Sequence, residues 1–578
     1  MAAAFEVTGS NDSAPFTLKL RSGEGMVLLT MDWRPGKPPE DFVGFAIEFQ
    51  TPGEKEFEAV ENRLSFVTVD GGIDPLRKSS RLSPIQKFRW VHFPADAEVK
   101  GKFHYRVTPV SMAEDDSLDY DKAQTAAIEL GGETYPEKMN VAFTRGFVSS
   151  QAFVDEFEGD KKEHREISDL LPSSGKKGLS FVPTHPQAAE AYDWMGFEAR
   201  RAILAVLDQA IADKDAQVRV VAYDLNQPEV LSRLEQLGGR LKVIIDDSPK
   251  EHNQPDSPEK EAERRLHTSA GEGNVKRQHM GDLQHNKTIV VDGPAGKSVV
   301  CGSTNFSWRG FFVQSNNAIV LHGEAATKAF ADAFDGYWDH GTPTGFGALP
   351  AAGLTDLELG IDAQVAFSPH SAANALLAKV GDDVEANTSS TLLYSLAFLY
   401  QTEGPIRNAI TKVTEDDAIF VYGISDKDAG LVLQRPTDVA TDNAEPTFPV
   451  PLDQNVPEPF KKESAGGSGI RLHHKFVVID FEKPTARVYM GSYNFSEPAD
   501  LANGENLLVI KDRRVAVAYA IEALRIFDHY HFRVAHKEAK DKAKPLVLAK
   551  PPRKDGELPW WDEYYSRPQK MRDREVFA

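Results

Sequence analysis

Cysteine is nearly absent from this chain, with Cys301 the only one among 578 residues. A single cysteine excludes an intrachain disulfide and any zinc site built from cysteines. Long hydrophobic runs are missing too, since no apolar stretch approaches the ~20 residues that a transmembrane helix requires. The first residues, Met1 to Glu6, lack the basic segment and apolar core of a signal peptide. We therefore expect a cytoplasmic protein with no transmembrane segment, although export without a leader stays open.

The chain also has no excess of basic over acidic residues. The 66 lysines and arginines are outnumbered by 87 aspartates and glutamates, which gives a formal net charge of −21. Charge of this sign repels nucleic acid and anionic membranes, so no stable nucleic-acid complex is expected. A local basic cleft for one phosphate, and peripheral contact with a membrane, both remain compatible with it. The chain is too long for one hydrophobic core, so about three domains are expected.

Residues 1–135 are predicted to form a β-sandwich accessory domain. Strand-like runs at 27–33, 45–50 and 103–110 are separated by turns rich in proline and glycine. Their spacing resembles a fibronectin type III or immunoglobulin-like module. Nothing in this region points to catalysis, and we expect a structural or targeting role.

Two α/β halves are predicted next, at residues 136–345 and 346–536, followed by a C-terminal tail at 537–578. Helices and strands alternate in the first half, which favours a mostly parallel sheet flanked by helices. These elements are the helices at 188–212, 228–237 and 325–338 and the strands at 218–223 and 241–245.

The second half repeats this order. Residues 389–400 and 406–413 have a helical pattern, and residues 418–422 are predicted as a strand. The long polar stretch at 436–469 is typical of a lid or a substrate loop.

The C-terminal tail is aromatic near its end, at Trp560, Trp561, Tyr564 and Tyr565. We expect these side chains to fold the tail back onto the body. The alternative is a patch that contacts a membrane surface or a partner.

One polar pattern occurs twice in the chain, on the same apolar framework. In each copy the lysine follows the histidine by two residues and the aspartate follows it by seven. A Gly-Ser-x-Asn-Phe-Ser segment comes next, with its asparagine 20 residues after the first histidine and 21 after the second. The first copy is His285, Lys287, Asp292, Ser303 and Asn305, and the second is His473, Lys475, Asp480, Ser492 and Asn494. The repetition predicts an internal duplication.

These residue types suit a phosphodiester. Alternation along a strand places each histidine and lysine on one face, and the asparagine can reach the same face. Two lysines and two asparagines can hold the phosphate oxygens and offset the charge that builds during transfer. One histidine can attack phosphorus and the other can transfer protons. Because the lysines supply positive charge, no metal or other cofactor is required, and lysine beside each histidine disfavours a zinc site.

The two motif copies resemble those of the phospholipase D superfamily, over roughly residues 140–535. The resemblance implies two α/β halves related by a pseudo-twofold axis, with one active site between them that is complete in a monomer. It implies that His285 is the nucleophile and His473 the general acid and base. It also implies phosphate binding by Lys287, Lys475, Asn305 and Asn494, support of that network by Ser303 and Ser492, and structural roles for Asp292 and Asp480.

Family members also carry an acidic residue after each motif that orients the histidine of the opposite half. Glu505 matches this position and is expected to brace His285. The first half has Gln314-Ser315-Asn316-Asn317 there, with no carboxylate. We therefore expect an amide to hold His473. The asymmetry agrees with His285 as the nucleophile, because a carboxylate stabilises an imidazolium best.

The motif predicts a reaction type more closely than a substrate. Chain length, two motif copies and an added β domain favour a phospholipase D acting on phosphatidyl groups. The Asn503-Gly504-Glu505-Asn506 segment resembles small endonucleases of the family, so a nuclease acting on DNA or RNA is the alternative. A non-catalytic phosphate-binding protein is less favoured, because both motif copies are intact. The head group, and hydrolysis versus transfer to an alcohol, stay open.

Overall fold

The computed structural model of the protein describes residues 4–68, 72, 79–94, 96–146, 153, 156–157, 159, 163–399, 403–425, 472–541 and 546–578. The chain divides into two compact units. One contains residues 1–132 and 517–578, and the other contains residues 133–516. The predicted loop at 436–469 lies outside the described residues. Among the helices that are described, none is both long enough and apolar enough to cross a membrane.

The first unit contains an all-β sandwich. Its strands are β1 (Glu6–Thr8), β2 (Phe16–Gly23), β3 (Met26–Trp33), β4 (Phe42–Gln50), β5 (Glu58–Ala59), β6 (Arg89–His92), β7 (Lys102–Met112), β8 (Leu118–Tyr120) and β9 (Gln124–Glu129). One sheet has the order β1-β2-β3-β6 and the other β5-β4-β7-β8, with β9 also paired to β7. Alternate apolar residues of both sheets, such as Leu18 and Leu29 on one and Phe45 and Val107 on the other, form one core. The N-terminal β domain thus has the predicted sandwich architecture.

The aromatic tail packs on this sandwich. Trp561 and Tyr564 are buried in the same core as the inner faces of the two sheets. The Trp560 indole N–H donates to the Phe42 carbonyl oxygen at 3.0 Å. The tail therefore folds back through its aromatic side chains, and its contacts are with the β sandwich.

The second unit contains two similar seven-stranded sheets. The first comprises β10 (Met139–Phe143), β11 (Gln217–Ala222), β12 (Leu241–Ile245), β13 (Val275–Arg277), β14 (Lys287–Gly293), β15 (Gly296–Gly302) and β16 (Asn317–His322). Its order is β10-β16-β15-β14-β11-β12-β13. Only the β11–β12 and β12–β13 pairs of this described sheet are parallel. The expectation of a mostly parallel sheet is therefore wrong, because the motif strands form tight antiparallel hairpins rather than helical crossovers.

The second sheet has the corresponding order, β17-β18-β23-β22-β21-β19-β20. Its strands are β17 (Thr355–Asp356), β18 (Asp362–Ser368), β19 (Thr391–Leu396), β20 (Phe420–Ile424), β21 (Lys475–Ile479), β22 (Arg487–Gly491) and β23 (Glu505–Lys511). The predicted helix at 389–400 is wrong, since residues 391–396 form β19. Every residue of β19 is buried, and a short run that is buried on both faces has no periodicity that distinguishes a strand from a helix.

Helices pack against these sheets. They are α1 (Ala188–Ala212), α2 (Pro228–Leu237), α3 (Pro258–Ala270), α4 (Glu324–Asp339), α5 (Pro343–Gly347), α6 (Leu377–Asn387), α7 (Pro405–Thr414), α8 (Glu497–Leu501), α9 (Arg513–Asp541), α10 (Glu563–Ser566) and α11 (Pro568–Phe577). The bounds of α1 and α2 are those that the sequence predicts. In α2, Pro228 opens the helix and Gly238 follows it at φ +59°, a conformation that suits glycine.

Each sheet has its own core, and the two halves meet within the second unit. Apolar residues of β11, β14 and β15 pack with α1 and α2 in one core, and those of β19, β21 and β23 pack with α6 and α7 in the other. The halves are joined by a parallel bridge between Ser315 and Leu472 and by the Gly504 N–H, which donates to the Leu283 carbonyl at 2.8 Å. These contacts bring the starts of β14 and β21 together.

Candidate active site

The two motif histidines face each other where the halves meet. His285 lies just before β14 and His473 just before β21. Their ring centroids are 6.2 Å apart and the rings are inclined by 71°. The two imidazoles are therefore close enough for one small group to contact both rings.

His285 is buried and braced by a carboxylate and an aromatic ring. Its Nδ1 lies 3.1 Å from Glu505 Oε1, a charge contact without regular hydrogen-bond geometry, and the Tyr223 ring centroid is 4.7 Å away. Burial, and then the positive charge of Lys287, lowers the pKa of His285 to about 4 in spite of Glu505. The imidazole is therefore neutral near pH 7. With the carboxylate beside Nδ1, the proton is favoured there and the electron pair lies on Nε2.

His473 is held by an amide in place of a carboxylate. Its Nδ1 lies 2.9 Å from Asn316 Oδ1 and 3.0 Å from the Ser303 carbonyl oxygen. Asn316 Nδ2 donates to the Gly310 carbonyl, which fixes the amide with its oxygen toward the histidine. Both partners of Nδ1 are acceptors, so Nδ1 carries a proton. Burial, followed by Lys475 and Lys287, lowers the pKa of His473 well below its usual value.

The two motif lysines are buried beside the histidines. The Lys287 ammonium donates to the His285 carbonyl and lies 4.7 Å from the Tyr223 ring centroid. The Lys475 ammonium donates to the His473 carbonyl at 2.8 Å. Burial lowers the pKa of Lys475 to about 7, and burial together with Lys475 lowers the pKa of Lys287. Positive charge crowded into a dry site favours the entry of an anion.

Glu505 supplies the negative charge of this site. It is fully buried and accepts hydrogen bonds from the Asn494 N–H at 2.8 Å and from Asn503 Nδ2 at 3.0 Å. Burial opposes its ionisation, but the interaction with His285 and the charge of Lys287 outweigh burial and lower the pKa of Glu505. The group is therefore a carboxylate at neutral pH.

Both motif asparagines are held by carboxylates. Asn305 Nδ2 donates to Asp224 Oδ2 at 2.7 Å, and Asn494 Nδ2 donates to Glu505 Oε1 at 3.3 Å. An amide nitrogen has two N–H donors, so each asparagine keeps one for another acceptor.

The motif serines stabilise the chain behind the site. Ser303 Oγ donates to Asn316 Oδ1 and accepts from the Asn317 N–H, each at 3.0 Å. Ser492 Oγ accepts from the Asn506 N–H at 2.9 Å. Both serines are fully buried. Their hydroxyls thus tie each motif to the strand that comes after it.

The motif aspartates differ from each other. Asp480 is 1% exposed and accepts from the N–H groups of Ser390 and Thr391 at 2.8 and 3.0 Å. Asp292, near the end of β14, is partly exposed and forms an ion pair with Lys297 at 2.5 Å. The structure brings neither of them to the facing histidines.

A cluster of charged residues beside His285 was not predicted from the sequence. His252 Nε2 donates to Asp224 Oδ1 at 3.0 Å and its Nδ1 donates to Asp246 Oδ2 at 2.7 Å. Burial opposes protonation, but the two carboxylates outweigh it and raise the pKa of His252 to about 10. The only sequence signal was position, because Asp224 and Asp246 directly follow predicted strands, where functional side chains often stand in α/β sheets.

Among the described residues, Asp224, His252 and Glu259 could also hold a cation, since their ligand atoms lie within 4.8 Å of one another. An imidazolium between two carboxylates offers no electron pair to a metal, so the charged state of His252 competes with this use.

Comparison with known proteins identifies the domain that carries these residues. A family model described as "Cardiolipin synthase, PLD-like domain" matches residues 202–338 and 426–527. No curated protein matches the chain.

Several solved structures are similar to the chain at low identity. Polyphosphate kinase from Porphyromonas gingivalis is 12% identical over 93% of this chain and 80% of that chain, with a TM-score of 0.38. Phosphatidylserine synthase from Haemophilus influenzae is 14% identical over 59% and 91%, with a TM-score of 0.39. Nuc from Salmonella typhimurium, a phospholipase D family member, is 23% identical over 25% and 89%, with a TM-score of 0.21. TM-scores this low say nothing about activity.

The two segments that the family model matches contain both copies of the motif, one in each half of the second unit. The residues that the model matches thus form a phospholipase D-like domain.

Proposed function

We propose that the protein is a metal-independent phosphodiesterase that cleaves or transfers phosphatidyl groups through a phosphohistidine on His285. The observation that carries this proposal is the pair of buried imidazoles, His285 and His473, whose ring centroids are 6.2 Å apart and each of which has a buried lysine beside it. The family supplies the reaction type, phosphodiester chemistry.

Substrate binding is explained by the charge of the site. Lys287, Lys475 and the free N–H donors of Asn305 and Asn494 hold the non-bridging oxygens of the phosphodiester. Its negative charge offsets the repulsion between the two ammonium groups. The same charge raises the pKa of His473 toward 7, so binding of the phosphodiester protonates the general acid.

The first step is attack on phosphorus. The electron pair of His285 Nε2 forms the P–N bond while the P–O bond to the leaving group breaks. His473 Nε2 donates its proton to the departing oxygen. Glu505 stabilises the positive charge that develops on the His285 ring.

The second step restores the enzyme. His473 Nε2, now neutral, takes a proton from water or an alcohol. The resulting oxygen nucleophile attacks phosphorus, and the P–N bond breaks with its electron pair returning to His285. Proton transfer of this kind contributes typically about 10²–10⁴-fold to a rate.

Two facts support a phosphatidyl substrate. The matching family model is named for cardiolipin synthase. The net charge of −21 works against tight binding of a nucleic-acid backbone. A nuclease remains the competing outcome of the test.

A paired turnover assay tests the proposal. One arm offers phosphatidylcholine and phosphatidylethanolamine vesicles with a primary alcohol, and the other offers single- and double-stranded DNA and RNA. Both arms contain EDTA. We expect phosphatidic acid or phosphatidyl alcohol from the wild-type protein, unaffected by the chelator.

His285→Ala is expected to lower this turnover by about 10³-fold or more, because the covalent step is lost. Exposed His340, outside the site, provides the matched control, and His340→Ala is expected to keep full activity. Cleavage of DNA or RNA with the same dependence on His285 would assign the protein to the nucleases instead. Turnover that survives His285→Ala would refute the phosphohistidine route.

A further inference from the structure

The two halves carry different residues immediately after the strand that pairs with each motif lysine. Ala222 pairs with Lys287 in the first sheet, and Leu396 pairs with Lys475 in the second. The next two residues are therefore equivalent positions. They are Tyr223-Asp224 in the first half and Ala397-Phe398 in the second.

This difference matches the asymmetry at the histidine braces. In the second half, Glu505 holds both the amide of Asn494 and the opposite histidine. The equivalent position in the first half is Asn316, whose Nδ2 is committed to the Gly310 carbonyl at 2.9 Å. Asn316 therefore supplies no carboxylate to Asn305. The Asn305 amide donates to Asp224 instead.

Asp224 does not act alone, because it is one end of a chain of contacts. Its Oδ2 accepts from Asn305 Nδ2 at 2.7 Å and its Oδ1 accepts from His252 Nε2 at 3.0 Å. His252 Nδ1 donates to Asp246 Oδ2 at 2.7 Å. Asp246 Oδ1 in turn accepts from the backbone N–H of Gln284 at 2.6 Å, one residue before His285. The chain thus runs from the motif amide to the backbone beside the motif histidine.

We propose that Asp224, His252 and Asp246 are positioning residues that fix Asn305 relative to His285, with Asp224 replacing the carboxylate that the first half lacks at Asn316. The inference rests on the proposed function, since it assigns Asn305 to the phosphate. A carboxylate on one N–H of Asn305 prevents the amide from turning its oxygen toward the substrate. The second N–H is then presented to a phosphate oxygen.

The arrangement explains why three charges are tolerated together, with His252 and Asp246 buried and Asp224 partly exposed. A charged His252 between two carboxylates leaves each ring nitrogen with an acceptor, and the Asp224 carboxylate is also near Lys287. A buried hydrogen-bonded network that is fully satisfied holds its members rigidly. The Tyr223 ring, next to Asp224 in sequence, packs against both His252 and His285.

The test measures phosphate affinity separately from turnover. Binding of inorganic phosphate is measured by isothermal titration calorimetry for the wild type, Asp224→Asn, Asn305→Ala and the double variant. Asp224→Asn is expected to weaken binding about 10- to 100-fold, the scale of one hydrogen bond to a charged group. In the double variant it is expected to add almost nothing to the effect of Asn305→Ala.

Matched variants separate positioning from folding. Asp332→Asn changes an exposed aspartate of the same half and is expected to bind phosphate as the wild type does. Circular dichroism and thermal unfolding accompany each variant. If Asp224→Asn fails to fold, the same cycle is run with His252→Gln and Asn305→Ala, and the same lack of additivity is expected.

Several results would overturn the inference. Wild-type phosphate affinity in Asp224→Asn would do so, as would effects of the two substitutions that add in full, since a merely structural role predicts addition. A stoichiometric divalent cation found by mass spectrometry in the wild type and lost in Asp224→Asn would also overturn it, because the carboxylate would then serve a metal.

The outcomes distinguish this inference from the proposed function. Turnover that needs His285 but not Asp224 refutes the inference alone. Phosphate binding that depends on Asp224, in a protein that cleaves no phosphodiester, refutes the proposed function alone. A wild-type protein that neither binds phosphate nor cleaves any substrate refutes both.

Discussion

At the scale of single residues, the two motif histidines have different hydrogen-bonding and charge partners. His285 faces the carboxylate of Glu505, whereas His473 faces the amide of Asn316. A carboxylate stabilises an imidazolium, and an amide oxygen does so less. In the proposed mechanism, the histidine that carries positive charge while bonded to phosphorus thus has the stronger partner. The histidine that is proposed to give and take a proton within one cycle has the weaker one.

Asn316→Asp tests this division of roles. A negative charge beside Nδ1 is expected to raise the pKa of His473 by about 1–3 units. The protonated form of His473 then persists to higher pH, so the alkaline limb of the activity profile moves upward. Its neutral form, needed as the base in the second step, is lost at a higher pH than in the wild type, so the acid limb moves upward too. Activity against pH, with NMR titration of labelled histidines, checks both shifts.

Asn316→Ala is the control, because it removes the amide without adding charge and is expected to leave the pKa of His473 low. The aspartate also places an oxygen against the Gly310 carbonyl, so thermal unfolding is measured beside the titration. An unchanged pKa of His473 in a folded Asn316→Asp protein would contradict the assignment of roles.

Residue identity carried most of what the sequence could predict about the site. The resemblance to the superfamily predicts Glu505 beside His285 and an unspecified amide of residues 314–317 beside His473. The structure has Glu505 and Asn316 at these positions. Asp224 and His252 were not found, because they lie 28 residues apart and meet only through the fold. Residues on two different loops have no fixed sequence spacing, so a single sequence does not show that they are in contact.

At the scale of elements, the two motif aspartates occupy equivalent positions but form different contacts. Asp480 has a left-handed φ of +48° and accepts three successive backbone N–H groups, those of Ser389, Ser390 and Thr391. It therefore anchors the segment that leads into β19. Asp292 instead pairs with Lys297 across the turn of the β14–β15 hairpin, near solvent.

Asp480→Asn is expected to lower the free energy of unfolding by about 1–3 kcal/mol, because buried N–H donors lose a charged acceptor. The matched change, Asp292→Asn, is expected to cost about 0–1 kcal/mol, the usual value of an exposed ion pair. Lys297 also keeps Glu324 as a partner at 3.1 Å in that variant. Chemical denaturation of both variants checks the difference. Equal losses would show that Asp480 does not anchor the strand.

Element prediction succeeded where periodicity was strong and failed where it was absent. Helices α1 and α2 carry apolar residues at helical spacing over their full length, and their bounds were predicted correctly. β19 is buried on every side, so its residues gave no alternation to read. The mixed sheet could not be predicted either, because strand direction depends on pairing partners that lie far away in sequence.

At the scale of the whole molecule, the first unit is assembled from opposite ends of the chain. Arg89 on β6 forms ion pairs with Asp528 of α9 and Asp573 of α11, both at 2.8 Å. Arg89 and Asp573 are buried, and Asp528 is partly exposed. Breaking one partner of such a network leaves buried charge uncompensated. The sandwich and the C-terminal residues 517–578 thus form one compact unit although about four hundred residues separate them.

The tail is therefore expected to contribute to the stability of the sandwich. Trp561 is 6% exposed in the sandwich core, and its indole N–H donates to the Pro39 carbonyl at 3.1 Å. Trp561→Ala is expected to lower the unfolding free energy of this unit by about 3–5 kcal/mol, the usual cost of removing a buried tryptophan. Leu558, 72% exposed in the same tail, is the matched control, and Leu558→Ala is expected to change stability by less than about 0.5 kcal/mol. Hydrogen exchange in β2, β3 and β4 measures the effect where it should occur. If those strands stay as protected in Trp561→Ala as in Leu558→Ala, the tail covers the sandwich without stabilising it.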